Sequence, residues 1–383
     1  MKLYSDRTGY LHHVLSDYDC YVPKSLNEIM INFDNELINL LSEANRYIGK
    51  LSEISRFLPD KDIFISKFVE KESAVSSQIE GTQATLEDVF QINKRDEKSR
   101  KDTEEIVNYV HALNYGIKLL EKLPVSIRYL KEVHKVLLQN LRGSDRNAGE
   151  LRSSQNWIGP QGSTLKNATF IPPSPDKMRE TLYYLEKYIN SKIELDPLIQ
   201  AALIHYQFET IHPFLDGNGR LGRMLIPIFL NEKGILNDPI LYISLYFKMN
   251  RSEYYELLMN VRFRGKVEGW IKFFLKGIVE TSKSLIEAIE NISRLNIETN
   301  EKILSLNIKN KEIYFETIKY MYEHPYFDSG DLIRHFKLSK PTILNIIKTL
   351  ERLKIISPTS NKKRYVTYRF DDYVSILEQG TEI

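Results

Sequence analysis

The chain has 383 residues, with 53 Lys+Arg against 51 Asp+Glu, a formal net charge of +2 and 42% hydrophobic residues. That length supports two or three domains with a substantial core, and the near-neutral charge gives no global footprint for nucleic acid or an acidic membrane. A single cysteine, Cys20, excludes an intramolecular disulfide framework and a cysteine-ligated zinc cluster. The stretch Met1-Lys2-Leu3-Tyr4-Ser5-Asp6-Arg7 lacks the apolar core of a signal peptide. No apolar run has the length of a bilayer crossing. A cytoplasmic, mainly helical protein is expected, with no membrane partner.

In chain order, Asp17 to Leu26 is polar and carries a proline, and Ile29, Ile31, Phe33, Leu37, Leu40 and Leu41 then recur as in a helical extension. The helix Ile63 to Ile79 has an apolar stripe of Ile65, Phe68, Val69, Val75 and Ile79. It stops at Gly81, a residue suited to the left-handed position after a helix. Thr85-Leu86-Glu87-Asp88 reads as the capped start of the next one. Glu80 lies in the last helical turn, the unfavourable end of the dipole for an acid, and by position alone it reads as a solvated surface group. Thr103 to Leu123 is amphipathic through Ile106, Val107, Tyr109, Val110, Leu113 and Leu119, and Val125 to Leu141 gives another helix. His111 and His134 on these helices read as packed or surface residues. Arg142 to Pro173 is a long polar connection, and such loops are functional or mobile. Ser174-Pro175 then caps Asp176 to Ile189.

Asp196 and Pro197 form an N-cap and first-turn pair for a helix running to Phe208. Pro213 disfavours the helical conformation at His212 and ends that helix. The run His212-Pro213-Phe214-Leu215-Asp216-Gly217-Asn218-Gly219-Arg220-Leu221-Gly222-Arg223 follows, with a second helix from Arg220 through Leu230. A glycine-bearing loop that opens a helix offers free amides and the positive end of the dipole, a recipe for binding phosphate. Asp216 is a hard-oxygen ligand for Mg²⁺ beside phosphates. Arg220 and Arg223 are three apart and share a helix face, His212 is the nearby group able to accept a proton near neutral pH, and the bland reading is a surface turn with solvated arginines. No histidine pair has a metal-site spacing.

Past the run, Leu241 to Tyr246 continues the core, Asn250 to Leu258 is helical, and Ile271 to Ile297 forms one or two helices leading out of the central domain. Lys309 to Phe370 looks separate. Helices Glu312 to Tyr322, Gly330 to Phe336 and Lys340 to Leu353 precede a hairpin at Ile355-Ile356 and Tyr365 to Phe370, which resembles a winged helix-turn-helix module. From Lys309 to Ile383 there are 13 Lys+Arg against 10 Asp+Glu, a net of +3, a weak footprint for DNA. Lys340, Thr342, Asn345 and Lys348 could face a groove, and the same helix could equally dock a protein or a second copy. A homodimer is compatible with the sequence without being fixed by it.

The run from His212 to Arg223 resembles, at every specified position, the His-Pro-Phe-x-(Asp/Glu)-Gly-Asn-Gly-Arg-x-x-Arg signature of the Fic family of nucleotidyl transferases. Ser76-Ser77-Gln78-Ile79-Glu80-Gly81 is similar to the family's (Ser/Thr)-x-x-x-Glu-(Gly/Asn) inhibitory motif, in the class whose inhibitory helix is N-terminal. The resemblance implies a mainly α fold: an N-terminal helical region (1–100), a Fic-type catalytic domain with a small β-hairpin flap (101–300) and the winged module (308–375). It implies AMP transfer from ATP, with Mg²⁺, to a Tyr, Thr or Ser hydroxyl of a target protein, the chain itself included. His212 would be the catalytic base and Asp216 the metal ligand. Gly217, Asn218, Gly219, Arg220, Leu221, Gly222 and Arg223 would bind nucleotide, Asn218 also hydrogen-bonding phosphate. Ser76 and Glu80 would inhibit by engaging Arg223. Gly149 to Arg152, Asn156 to Gly159 and Asn167, Ala168, Thr169 and Phe170 resemble the flap segment, which holds a target's main chain by strand addition. Tyr254 and Arg262 are the candidates for the adenine end, although tyrosines on helices equally suit a core. Removal of AMP by the same site, or a DNA-binding regulator with a nucleotide-sensing Fic domain, are the alternative functions.

Overall fold

The computed structural model describes residues 5–15, 18–58, 60–91, 97–139, 147–160, 162–236, 238–308, 310–360 and 366–381. The sequence-expected boundaries at Asp17, Leu141, Arg142, Lys309 and Tyr365 lie outside them. The chain opens with an antiparallel hairpin, β1 (Gly9–Val14) and β2 (Tyr18–Pro23), in a register that pairs Gly9 with Pro23 and Val14 with Tyr18. This hairpin precedes the expected helical extension. Its outer strand alternates poorly between buried and exposed positions, so periodicity could not reveal it.

The helices follow in order: α1 (Asn35–Ile54), α2 (Lys61–Ile79), α3 (Leu86–Phe90), α4 (Glu97–Leu119), α5 (Ile127–Leu137), α6 (Pro175–Asn190), α7 (Pro197–Ile211), α8 (Asn218–Glu232), α9 (Ser244–Met249), α10 (Arg251–Arg264) and α11 (Val267–Leu304). Asp34 caps α1 by accepting from Leu37 N–H at 2.8 Å, and Thr85 with Asp88 forms the expected capping box on α3. Ser174 precedes α6 without a side-chain cap bond; Pro175 at its first turn supplies the start. The segment read as one or two helices is one 38-residue helix, α11, along which α1 packs. Among the described residues, no helix is long and apolar enough to cross a membrane.

At the centre lies α7. Every residue from Leu198 to Ile211 is buried, the signature of a helix enclosed on all sides. Trp270 of α11 donates its indole N–H to the Ala202 carbonyl at 2.7 Å, and α8 packs along α7 from the other side of the connecting loop.

The C-terminal region folds as α12 (Glu312–Glu323), β3 (Tyr326–Asp328), α13 (Ser329–Phe336), α14 (Lys340–Arg352), β4 (Ser357–Pro358), β5 (Thr367–Arg369) and α15 (Asp371–Glu378), with an antiparallel sheet in the order β3-β5-β4. It docks on the first half of α2. The Phe64 ring meets Tyr322 at 5.2 Å and Tyr373 at 5.8 Å, both edge-on, Lys319 pairs with Asp60 at 3.1 Å, and Lys71 Nζ donates to the Gln379 carbonyl at 2.7 Å. Midway along α2, the buried carboxyl of Glu72 accepts from Tyr109 OH at 3.3 Å and from Ser244 Oγ. Phe64→Ala should remove the ring that joins α2 to the C-terminal region, at a cost of about 3 kcal/mol or more. The first thermal transition in scanning calorimetry should fall; an unmoved transition would show that Phe64 does not secure this junction.

Candidate active site

Asp196 accepts from Leu198 N–H at 2.8 Å and starts α7, and Pro213 stops it, as the sequence indicates. His212 becomes the C-cap in the left-handed conformation, φ 49°, which costs a non-glycine residue roughly 1–2 kcal/mol. The turn is held from outside: Asn156 Nδ2 donates to the carbonyls of His212 at 3.2 Å and Phe214 at 3.0 Å. The imidazole is half-buried and its Nδ1 has no hydrogen-bond partner. Burial first, then the cations Arg152 and Arg262, push its pKa down to about 4, against a smaller upward pull from Glu80. His212 is therefore neutral at physiological pH and able to take a proton.

The loop between α7 and α8 is fastened by groups that accept or donate to its main chain. Asn218 spans it, with Oδ1 accepting from Phe214 N–H at 2.9 Å and Nδ2 donating to Phe214 O at 2.8 Å. In this structure the amide closes the loop, a role that the sequence did not indicate. His134, read from sequence as a bland helix residue, is fully buried and stacks on Phe214 at 3.8 Å. Its Nδ1 accepts from Gly149 N–H at 2.9 Å, which leaves Nε2 to donate to the Asp216 carbonyl at 2.9 Å. Burial lowers its pKa to about 4, so this tautomer persists at neutral pH.

Helix α8 begins at Asn218, two residues before the sequence placed it, because Gly217 takes φ 74°. The Gly217 amide is already given to Asp216 Oδ1 at 2.7 Å, and hydrogen bonding into the helix starts with Leu221 N–H to Gly217 O at 3.0 Å. The amides of Asn218, Gly219 and Arg220 thus have no partner within the helix, and an open helix start of this kind is suited to an anion. Leu221 and Gly222, expected at the nucleotide, turn elsewhere. Leu221 is buried in the core, and the Gly222 carbonyl accepts from His205 Nδ1 at 2.9 Å, while a Cβ there would collide with Glu209.

Arg223 is buried, and Arg220 nearly so. Arg223 Nη2 donates to Glu80 Oε1 at 2.7 Å and to the Ser76 carbonyl at 2.9 Å, and Nε donates to Ser76 Oγ at 2.9 Å. Burial alone would lower its pKa, but Glu80, with Tyr254, Tyr255 and Glu209 nearby, outweighs that and the net shift is upward. Glu80 is the C-cap of α2, and Gly81 at φ 105° lets the chain turn away behind it. Its carboxylate lies over Gly219, where a Cβ would collide with it, so the acid rests against the first turn of α8. Arg220 is held by Glu105 of α4 at 3.4 Å and lies 3.8 Å from Asp216; Glu105 also accepts from Thr82 Oγ1 at 3.0 Å.

A cleft opens beside these groups, walled by Ile158, Phe170, Glu209, Tyr255, Met259 and Arg262. Arg262 lines it, its guanidinium 4.0 Å above the Phe170 ring and its Nε bonded to Thr210 Oγ1 at 3.1 Å. Tyr254 does not. It is buried and its hydroxyl donates to His205 Nε2 at 3.0 Å, so the neighbouring Tyr255 takes the wall. Glu209, missed in the sequence, is nine-tenths buried, and burial raises its carboxyl to about 7. Among the described residues, the flap segment pairs through an isolated antiparallel bridge, Ile158 to Phe170. Asn167 caps its turn by accepting from Thr164 N–H at 2.6 Å, Ala168 is half-buried, Thr169 is exposed and Phe170 is buried beneath Arg262. Spacing alone could not pick out His134 or Glu105, because each reaches the site from another helix, whereas Glu209 lies one turn before His212 on α7, a spacing that could have found it.

The sequence that carries this site matches known proteins. One family model, Fic/DOC family N-terminal, matches residues 38–118, and a second, Fic/DOC family, matches residues 124–230. The chain belongs to the Fic/DOC family. It is similar to proteins named protein adenylyltransferase Fic, at 30% identity over 253 residues in Drosophila willistoni (65% of this chain, 45% of that protein) and 27% over 269 residues in Drosophila melanogaster (70% and 49%). It thus spans about half the length of the curated relatives it matches. Among solved structures, a Fic family protein from Desulfovibrio desulfuricans G20 shares the fold at TM-score 0.58 and 20% identity, over 89% of this chain and 97% of that one. A Fic domain containing signaling protein from Bacteroides thetaiotaomicron does so at 0.52 and 21%, over 67% and 97%. At these identities the likeness shows the fold alone.

Asn218→Asp keeps the bond from Phe214 N–H but faces the Phe214 carbonyl with a second oxygen. We expect a loss of about 1–3 kcal/mol, read as a lower melting temperature without nucleotide. A wild-type melt would contradict the loop-closing role.

Proposed function

We propose that this chain is a protein adenylyltransferase that moves AMP from ATP to a Tyr, Thr or Ser hydroxyl of a target protein and is held slow by Glu80. The observation that carries the reading is the juxtaposition of a neutral, half-buried His212 with the open amides of α8 and with an Arg223 already occupied by a carboxylate. His212 accepts the hydroxyl proton as the hydroxyl oxygen attacks the α-phosphorus, the bond from that phosphorus to the bridging oxygen breaks, and pyrophosphate leaves. The amides of Asn218, Gly219 and Arg220 stabilise the charge that develops on the phosphoryl oxygens. Arg220 and Arg223 are planar forks suited to the β- and γ-phosphates.

Asp216 suits Mg²⁺: its carboxylate is one-third exposed and sits at the start of α8, where phosphate oxygens would complete the shell of a hard cation. Mg²⁺ bound there would offset charge on the phosphates. Glu80 rests where polyphosphate would approach α8 and takes a donor of Arg223, so an ordered γ-phosphate and Glu80 compete for one guanidinium.

With Mg²⁺ and α-labelled ATP, Glu80→Gly should raise protein labelling at least tenfold over the wild type, and Glu80→Gly/His212→Ala should abolish it. Equal labelling in both variants would remove His212 from the mechanism, and release of free AMP from pre-labelled protein would favour the reverse reaction. Because burial holds His212 near 4, transfer should stay flat from about pH 6 to 8 and fall only as the pH approaches that value.

A separate proposal concerns the C-terminal region as a winged helix-turn-helix module. Lys340, Thr342, Asn345 and Lys348 of α14 are exposed while Ile343, Ile346, Ile347 and Leu350 are buried, which supports contact with duplex DNA. Binding should weaken steeply with added salt and on Lys340→Glu/Lys348→Glu; binding indifferent to both would reject this surface.

A further inference from the structure

Arg152 is the largest charged side chain wholly removed from water other than Arg223, and it is spent differently. Arg223 has a carboxylate partner. Among the described residues, no salt bridge involves Arg152. Its Nε donates to the His212 carbonyl at 2.9 Å, Nη1 to Ser154 O at 3.2 Å, and Nη2 to Pro173 O and, at 3.4 Å, to Ile211 O. Its own N–H donates to Pro213 O at 3.0 Å. A buried cation bonded only to neutral carbonyls is costly to keep. The carbonyls it serves explain its place: Ile211 and His212 end α7, the negative pole of that helix, and Ser154 and Pro173 lie at the two feet of the flap segment.

We propose that Arg152 is a positioning residue for His212, holding the left-handed turn on which the imidazole is mounted, tying that turn to the flap and setting its guanidinium beside His212. The groups facing each partner fit this assignment. Around His212 stand the cations Arg152 and Arg262, which lower its proton affinity after burial, and the Glu80 carboxylate, which raises it. Around Arg152 stand Cys20, whose thiol burial pushes up, and Tyr18, whose phenol burial also pushes up and whose hydroxyl donates to Gln155 Oε1 at 3.0 Å. Both stay neutral at pH 7, so neither cancels the charge of Arg152. Burial brings the guanidinium itself down only to about 10, and it remains a cation at neutral pH.

The positioning claim rests on the transferase reading for its rate measurement only; the effect on the imidazole is measurable without any reaction. The full chain carrying ¹³C-labelled histidine would be titrated by NMR as wild type, Arg152→Met and Arg152→Lys, and the same substitutions assayed for AMP transfer in the Glu80→Gly background. In Arg152→Met the His212 resonance should titrate at clearly higher pH, and transfer should fall about a hundredfold, the scale of a misplaced catalytic group. Arg152→Lys should keep the titration near wild type, because the charge is retained, yet recover only part of the rate, because an ammonium cannot bridge the same carbonyls as a planar fork. An unchanged His212 titration in Arg152→Met overturns the proposal whatever the rate does, and a wild-type rate overturns the positioning role. Should Arg152→Met fail to fold, Arg152→Lys decides: a rate equal to wild type, or a titration moved as far as charge removal would move it, overturns the assignment. If the Glu80→Gly parent transfers no AMP, the transferase reading has failed, and the NMR titration still decides the effect of Arg152 on His212.

Discussion

A guanidinium removed from water must be paired, and the site is built around meeting that demand for Arg223. Its side chain is 1% exposed, whereas its partner Glu80 is 39% exposed. That asymmetry matters. The cost of leaving a buried charge unpaired is several kcal/mol, so Arg223 exchanges partners more readily than it loses one, and the partner open to exchange is the one facing solvent. Ser76 supplies the remaining acceptors from within α2 through its hydroxyl and carbonyl. The same helix that carries Glu80 therefore also fixes the orientation of the arginine paired with it.

Helix α2 ties distant parts of the molecule to this exchange. Its first turns carry Phe64 into the aromatic cluster with Tyr322 and Tyr373, and its middle is pinned by the buried Glu72 to Tyr109 and Ser244. Its end sets Glu80 against Gly219. The helix on which the C-terminal region docks is thus the one whose C-cap pairs with Arg223.

The loop between α7 and α8 illustrates a second constraint. A tight turn between two buried helices exposes many main-chain polar groups that water cannot reach, and each must find a partner. Asn218, His134, Asn156 and Arg152 satisfy them from the loop itself, α5 and the flap segment. Those bonds leave the first amides of α8 and the ring of His212 as the groups still available for chemistry. The left-handed strain at His212 persists because the surrounding contacts over-determine it.

The local sequence determined a good deal. Pro213 had to end α7 at His212, Asp196 had to cap its start, Gly217 had to take a positive φ, and Ser76 and Glu80, four residues apart, had to share one face of α2. All of these are short-range steric and hydrogen-bonding rules, legible one turn at a time. The hairpin of Gly9 to Pro23 was not legible, since its strands are short and only one is well buried. Tertiary structure alone decided that Asn218 would close a loop, that Tyr254 would pack into the core while Tyr255 faced the cleft, and that His134, Glu105, Glu209 and Arg152 would converge on the run from His212 to Arg223. Those outcomes depend on how the loop and its surrounding elements pack together in space, and spacing along one helix carries no information about that.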